Sequence, residues 1–342
     1  MKRLLTCLLV FTLLLGCFAL GEGRSFTDST GRELNLPENI RRVAVSGPLS
    51  QIVFFSLAPE LLVGISVPWE EAAKPYIPEE YLDLPVLGQL YGTKGELNLE
   101  SLLNAAPDIV IDIGEAKGSI KEDMDALTEQ TGIPFVHIDA STETMGETYR
   151  ILGDLLGMQD EAEVLADYYE SIYARGKEIA EKVEKTSLLY ILGSKGLNVI
   201  AEGSYHGEII DLICDNAAVL EEPSSKGTGN EVDMEQILMW DPDFIVFAPD
   251  SVYDEVGSSE LWQNLTAIQK GNYVEVPNGP YNWMGFPPSV QRLLGMMWLE
   301  KLLYPEQADY DLYEEVAQYY KLFYHSELSR EDYDALMVNA LR

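Results

Sequence analysis

Residues 97–111 read LNLESLLNAAPDIVI, and 135 positions later residues 232–246 read VDMEQILMWDPDFIV. Aligned without a gap, the two stretches share Glu100 with Glu235, Leu103 with Leu238, and Pro107-Asp108 with Pro242-Asp243. Each copy reads as a short helix followed by a strand. Asn98 or Asp233 stands where an N-cap side chain accepts from first-turn amides, and the glutamate two positions on sits where the macrodipole favours negative charge. The proline stops the helix. Ile109-Val110-Ile111 or Phe244-Ile245-Val246 then reads as a strand covered on both faces. One unit used twice at a single spacing predicts two related lobes.

Other apolar runs extend each copy into a sheet. Val43-Ala44-Val45, Leu62 to Ile65 and Phe135 to Ile138 belong with the first lobe, Leu188 to Leu192 and Tyr273 to Val276 with the second. Helical patterns separate these runs, as in βαβ units. The expected fold is α/β: two Rossmann-like lobes with parallel sheets, joined by one long helix, with the ligand cleft between them. Residues 26–159 form the first lobe, 160–185 the helix and 186–342 the second lobe. Asp160 is the expected cap of the joining helix, with Glu163 three residues on, and Ser329 opens a similar pattern before the last helix.

The chain opens with MKRLLTCLLVFTLLLGCFALG, two cations before an almost unbroken apolar run. This is a secretory signal, short for a membrane span. Leu14-Leu15-Gly16-Cys17 fits a lipobox, with residues 1–16 removed and Cys17 lipidated. Ala19-Leu20-Gly21 equally fits cleavage of residues 1–21 before Glu22. Beyond the signal, Cys214 is alone, which excludes a disulfide framework or a cysteine-rich metal site. A formal net charge of −34, from 23 basic and 57 acidic side chains, repels nucleic acid.

These residues resemble a family. An export signal, two α/β lobes and one connecting helix are similar to the helical-backbone class of ABC-transporter substrate-binding proteins, which carry ferric siderophores, haem, cobalamin and related metal chelates. Phe26 to Pro37, FTDSTGRELNLP, resembles that family's first hairpin, and Arg42 to Val45 its first strand. Asn98-Leu99-Glu100 with Pro107 to Val110 matches its first-lobe signature. Asn282 to Ser289, NWMGFPPS, resembles its late cleft motif NWFDRPPS. Gly285-Phe286 stands where many relatives carry Asp-Arg, which puts an anion contact at that position in doubt. The resemblance implies a monomer that binds a small-molecule chelate, an iron(III) complex first and a corrinoid or haem as alternatives. It also implies hand-over to a permease dimer through Glu100 and Glu235. Contact with the membrane would come only through a lipid anchor on Cys17.

A cleft for a large, flat chelate needs aromatic faces and a few polar groups. Loops after the predicted strands supply Ser46, Pro48, Trp69, Tyr91, Tyr205, His206, Tyr281 and Trp283 as ligand-binding candidates. Of the three histidines, His137 lies within a strand as a satisfied wall residue, His325 sits in a tyrosine-rich helical segment, and only His206 falls near the cleft. One histidine makes no zinc or manganese site of the usual kind. No G-x-S-x-G, H-E-x-x-H or Walker loop is present, so no enzyme is expected. The rival reading is an exported enzyme or chaperone that handles a metal cofactor in the same cleft.

Overall fold

The computed structural model describes residues 23–91, 96–249, 251–285 and 287–341. The expected signal sequence and Cys17 lie outside them. An antiparallel hairpin, β1 (Arg24–Thr27) and β2 (Glu33–Leu36), opens the chain. Its turn is made by Asp28, whose carboxylate accepts from the N–H groups of Thr30 and Arg32, both at 3.0 Å, and pairs with the Arg32 guanidinium at 3.1 Å. The first lobe carries β3 (Val43–Val45), β4 (Ile109–Gly114) and β5 (Phe135–Asp139), all parallel with β4 central. The run from Leu62 to Ile65 adds single parallel bridges, Val43 to Leu62 and Ile65 to Val86, rather than a full strand.

The second lobe holds β6 (Ser187–Leu192), β7 (Asn198–Val199), β8 (Asp215–Asn216), β9 (Asn230–Glu231), β10 (Phe244–Phe247) and β11 (Tyr273–Glu275). Strands β8, β6, β10 and β11 are parallel, as expected. The two-residue strands β7 and β9 add an antiparallel edge.

The repeated unit is visible in detail. Asn98 accepts from Ser101 N–H at 3.0 Å and Asp233 from Gln236 N–H at 2.8 Å. The helices that follow, Leu99–Ala105 and Met234–Trp240, both end on a non-glycine residue in the left-handed region, Ala106 at φ 45° and Asp241 at φ 35°. A following proline disfavours the helical region for the residue before it, which explains why both helices break at the same place.

The connecting helix runs Gln159–Lys182, roughly 36 Å at 1.5 Å per residue. Asp160 does not cap it: Met158 holds the cap position with no side-chain bond, and Asp160 lies in the first turn. The chain enters directly from the left-handed Gly157, so the acid contributes through the macrodipole instead. The helix joins the lobes by close packing. Gly176 touches the second-lobe helix Arg292–Leu303 so tightly that a Cβ would fall 2.7 Å from Met296 Sδ. The C-terminal helix Leu312–Phe323 then folds back onto the first lobe. Tyr320 meets Tyr76 edge-on at 5.0 Å, and Phe323 meets Tyr149 at 6.1 Å. Among the described residues no helix is long and apolar enough to cross a membrane.

Candidate functional site

Strands β3, β4 and β5 are parallel, so their C-terminal ends share one edge, and segment 204–208 of the second lobe reaches over it. Tyr205 Oη donates to the Ala140 carbonyl at 3.1 Å, just beyond β5. Arg292 lies beside it, at the first position of the helix Arg292–Leu303 and only 2% exposed. Its Nη1 donates to Thr142 Oγ1 at 3.1 Å and to Glu208 Oε2 at 2.7 Å. Its Nη2 donates to the Tyr205 carbonyl at 2.6 Å, and the guanidinium stands 4.6 Å over the Tyr205 ring. Glu208 Oε2 also accepts from the Thr142 N–H at 2.9 Å and from the Thr142 hydroxyl. One carboxylate oxygen thus gathers three donors drawn from both lobes, the environment an anionic ligand would require. Arg292 Nε is buried with no acceptor, and Gly285 is its neighbour: a Cβ there would sit 2.9 Å from Nε.

The first-lobe wall is acidic. Ser46, at the end of β3, donates from its hydroxyl to Asp112 Oδ1. Asp112 Oδ2 lies 2.7 Å from His137 Nδ1, and Asp139 Oδ1 lies 2.9 Å from His137 Nε2. His137 is fully buried and satisfied, as expected of a wall residue. Beside Tyr205, His206 is 7% exposed, and its pKa is pulled down to about 4, first by burial and then by Arg292. It is neutral at neutral pH.

Of the sequence-derived candidates, Ser46, Tyr205 and His206 reach this inter-lobe region. Pro48 is the first residue of the helix Pro48–Leu57, half-buried above the same edge. Tyr91 is half-buried and donates its hydroxyl to Asp123 at 2.8 Å. Trp69, Tyr281 and Trp283 take a different place from the exposed cleft positions expected. Trp69 is 4% exposed, donates its indole N–H to the Tyr81 carbonyl at 2.7 Å and stands edge-on to Phe55. Trp283 is wholly buried, with its indole N–H on the Gly279 carbonyl at 2.9 Å, and Tyr281 is buried in the same core. For Tyr281 and Trp283 the reason is the returning C-terminal segment: Tyr320 donates its hydroxyl to that same Gly279 carbonyl, turning a loop aromatic into core.

Sequence reasoning missed Arg292, Glu208, Thr142 and Asp112. It also placed the doubtful anion contact at Gly285-Phe286, whereas the cation beside Gly285 comes from Arg292. One signal was present. A basic residue opening a helix opposes the macrodipole and needs another reason to be there.

Three comparisons bear on this geometry. Residues 66–279, more than half of the chain, match the family model described as periplasmic binding protein. The chain is 26% identical to the molybdate-binding protein MolA of Haemophilus influenzae, over 95% of this chain and 97% of that one. It is 25% identical to the Fe(3+)-citrate-binding protein YfmC of Bacillus subtilis, over 53% of this chain and 56% of that one. The solved structure of an ABC transporter solute-binding protein from Sulfurospirillum deleyianum superposes with a TM-score of 0.83 at 27% identity, covering 92% of this chain and 98% of that one.

Proposed function

The chain belongs to the periplasmic binding protein family, as a substrate-binding protein of an ABC importer and not an enzyme, and on that premise we propose that it captures an anionic metal complex, an iron(III) chelate foremost. The observation that carries this reading is Arg292, a cation buried between the lobes with one donor unused, in a chain of net charge −34. Against that excess of acid, a buried guanidinium with a spare donor at the meeting of the two lobes is informative. The relatives named for molybdate and for ferric citrate both take a metal inside an anion, the same chemistry. Capture needs only closure of the lobes on the ligand and release to a permease. The same reading places the mature chain outside the cytoplasm, free after loss of residues 1–21 or anchored through Cys17.

Calorimetric titration of the mature chain tests the ligand class. Ferric chelates or molybdate should give saturable binding, whereas free Zn²⁺ and Mn²⁺ should give none. Saturable binding of a bare cation, with no heat from any anionic complex, overturns the reading.

Glu100 and Glu235 are the proposed permease contacts. Both are exposed, both lie in the first turn of a matching helix, and each lobe carries one. Changing both to alanine should leave ligand affinity unchanged, because rim charges act on association with a partner and not on the cleft. Loss of the helix-end interactions costs about 0.3–1 kcal/mol each. Uptake into vesicles containing the permease should fall to background. Uptake at the wild-type rate would remove both residues from the docking surface.

A further inference from the structure

The polar side chains of the first-lobe wall present acceptors. Both ring nitrogens of His137 lie on carboxylate oxygens, at 2.7 Å from Asp112 and 2.9 Å from Asp139. A carboxylate only accepts, so both nitrogens carry protons and the ring is an imidazolium. Burial works against that charge, yet Asp112 and then Asp139 outweigh it and hold the His137 pKa above its ordinary value. Asp112 Oδ1 then claims the one proton of the Ser46 hydroxyl. Ser46 Oγ, with Ser50 Oγ 3.3 Å away, keeps one lone pair for a further donor, and Asp139, with 58% of its side chain exposed, adds more acceptors. On the opposite wall Arg292 Nε is a donor without an acceptor. The two walls therefore ask for opposite things.

Resting on the anion reading above, we propose that the cleft selects anionic complexes that also carry an O–H or N–H donor, received by Ser46 beside Asp112, and binds fully deprotonated oxyanions more weakly. An oxyanion of the molybdate type satisfies Arg292. Against Ser46 and Asp112 it sets lone pairs on lone pairs and a negative charge on a carboxylate, which is discrimination by repulsion. A chelate with a free amide or hydroxyl proton satisfies both walls.

The test uses the mature chain with Arg292 intact and two probes at pH 8: molybdate, and a ferric tris-catechol complex whose arms carry amide N–H groups. Wild-type protein should bind the catechol amide complex at least 10-fold more tightly than molybdate. In Asp112→Asn the His137 proton holds the amide oxygen, so the amide N–H₂ faces Ser46 and frees the hydroxyl proton for the ligand. That variant should bind molybdate at least 10-fold more tightly than wild type and the catechol amide at least 10-fold more weakly. Ser46→Ala, a smaller change to the fold, should weaken the catechol amide complex and leave molybdate within about 3-fold. A network that merely ties β4 to β5 would shift both probes together. Equal losses for both probes in Asp112→Asn, or a wild-type preference for molybdate, overturn the selectivity while leaving the anion reading in place. Binding of neither probe by wild type overturns both.

Discussion

Arg292→Gln is expected to lower affinity for the anionic probe at least 10-fold. A hydrogen bond to a charged group contributes about 1.5–3 kcal/mol, so the free donor on Nε corresponds to roughly 10–10² in Kd. Among the described residues no other cation is bonded to this cluster, so nothing there replaces the loss. The geometry also explains why lysine should recover little of it. The guanidinium serves Thr142, Glu208 and the Tyr205 carbonyl while lying over the Tyr205 ring, and a point charge on a flexible stem cannot hold that set. Arg292 also pairs with Glu208, so thermal melting should accompany the titration to show that the glutamine protein is folded. A folded Arg292→Gln protein that binds the anion as wild type does would remove the guanidinium from the ligand site.

Glu300→Gln should stabilise the protein, and the gain should grow as pH rises. Glu300 is wholly buried on the same helix as Arg292. Its Oε2 accepts from the Tyr310 hydroxyl at 2.8 Å and its Oε1 has no partner. Burial pushes its pKa up to about 7, with the Tyr310 bond and the Arg175 charge opposing that rise. The sign follows from linkage. Below the unfolded carboxyl value, near 4.5, the group is neutral in both states and the fold is not penalised. Between there and about 7 the folded chain retains a proton that the unfolded chain has lost, so stability falls as pH rises. Above about 7 the whole difference is present, on the order of 3 kcal/mol. Glutamine is neutral throughout and still accepts from Tyr310. Melting curves of the two proteins should coincide near pH 4.5 and separate by several degrees at pH 8, with the variant higher. A separation that does not change with pH would show that Glu300 does not titrate in this range.

Much of the architecture was legible from local sequence because its causes are local. Asn98 and Asp233 cap helices through amides three residues away, and Pro107 and Pro242 restrict the residue just before them. Asp28 makes its turn with Thr30 and Arg32. Such features depend on a few neighbouring dihedrals, so a repeated string implies a repeated structure, and two lobes followed from two copies. The single long helix was equally legible, since its apolar stripe recurs within it. Its start was misplaced because the chain enters from a left-handed glycine and not from a capping side chain.

The cleft could not be obtained that way. Arg292 finds Glu208 across 84 positions and Thr142 across 150, and Ser46 finds Asp112 across 66. No local pattern records those meetings. Trp69, Tyr281 and Trp283 show the converse. Each sits in a loop, yet Trp69 is buried against Phe55 and Tyr81, and Tyr281 and Trp283 are buried beside Gly279, whose carbonyl Tyr320 of the returning helix also engages. Sequence alone determined which units the chain builds, because backbone preference and apolar period act over a few residues. Tertiary structure alone decided which side chains face the ligand, because burial and charge pairing depend on what distant segments bring alongside.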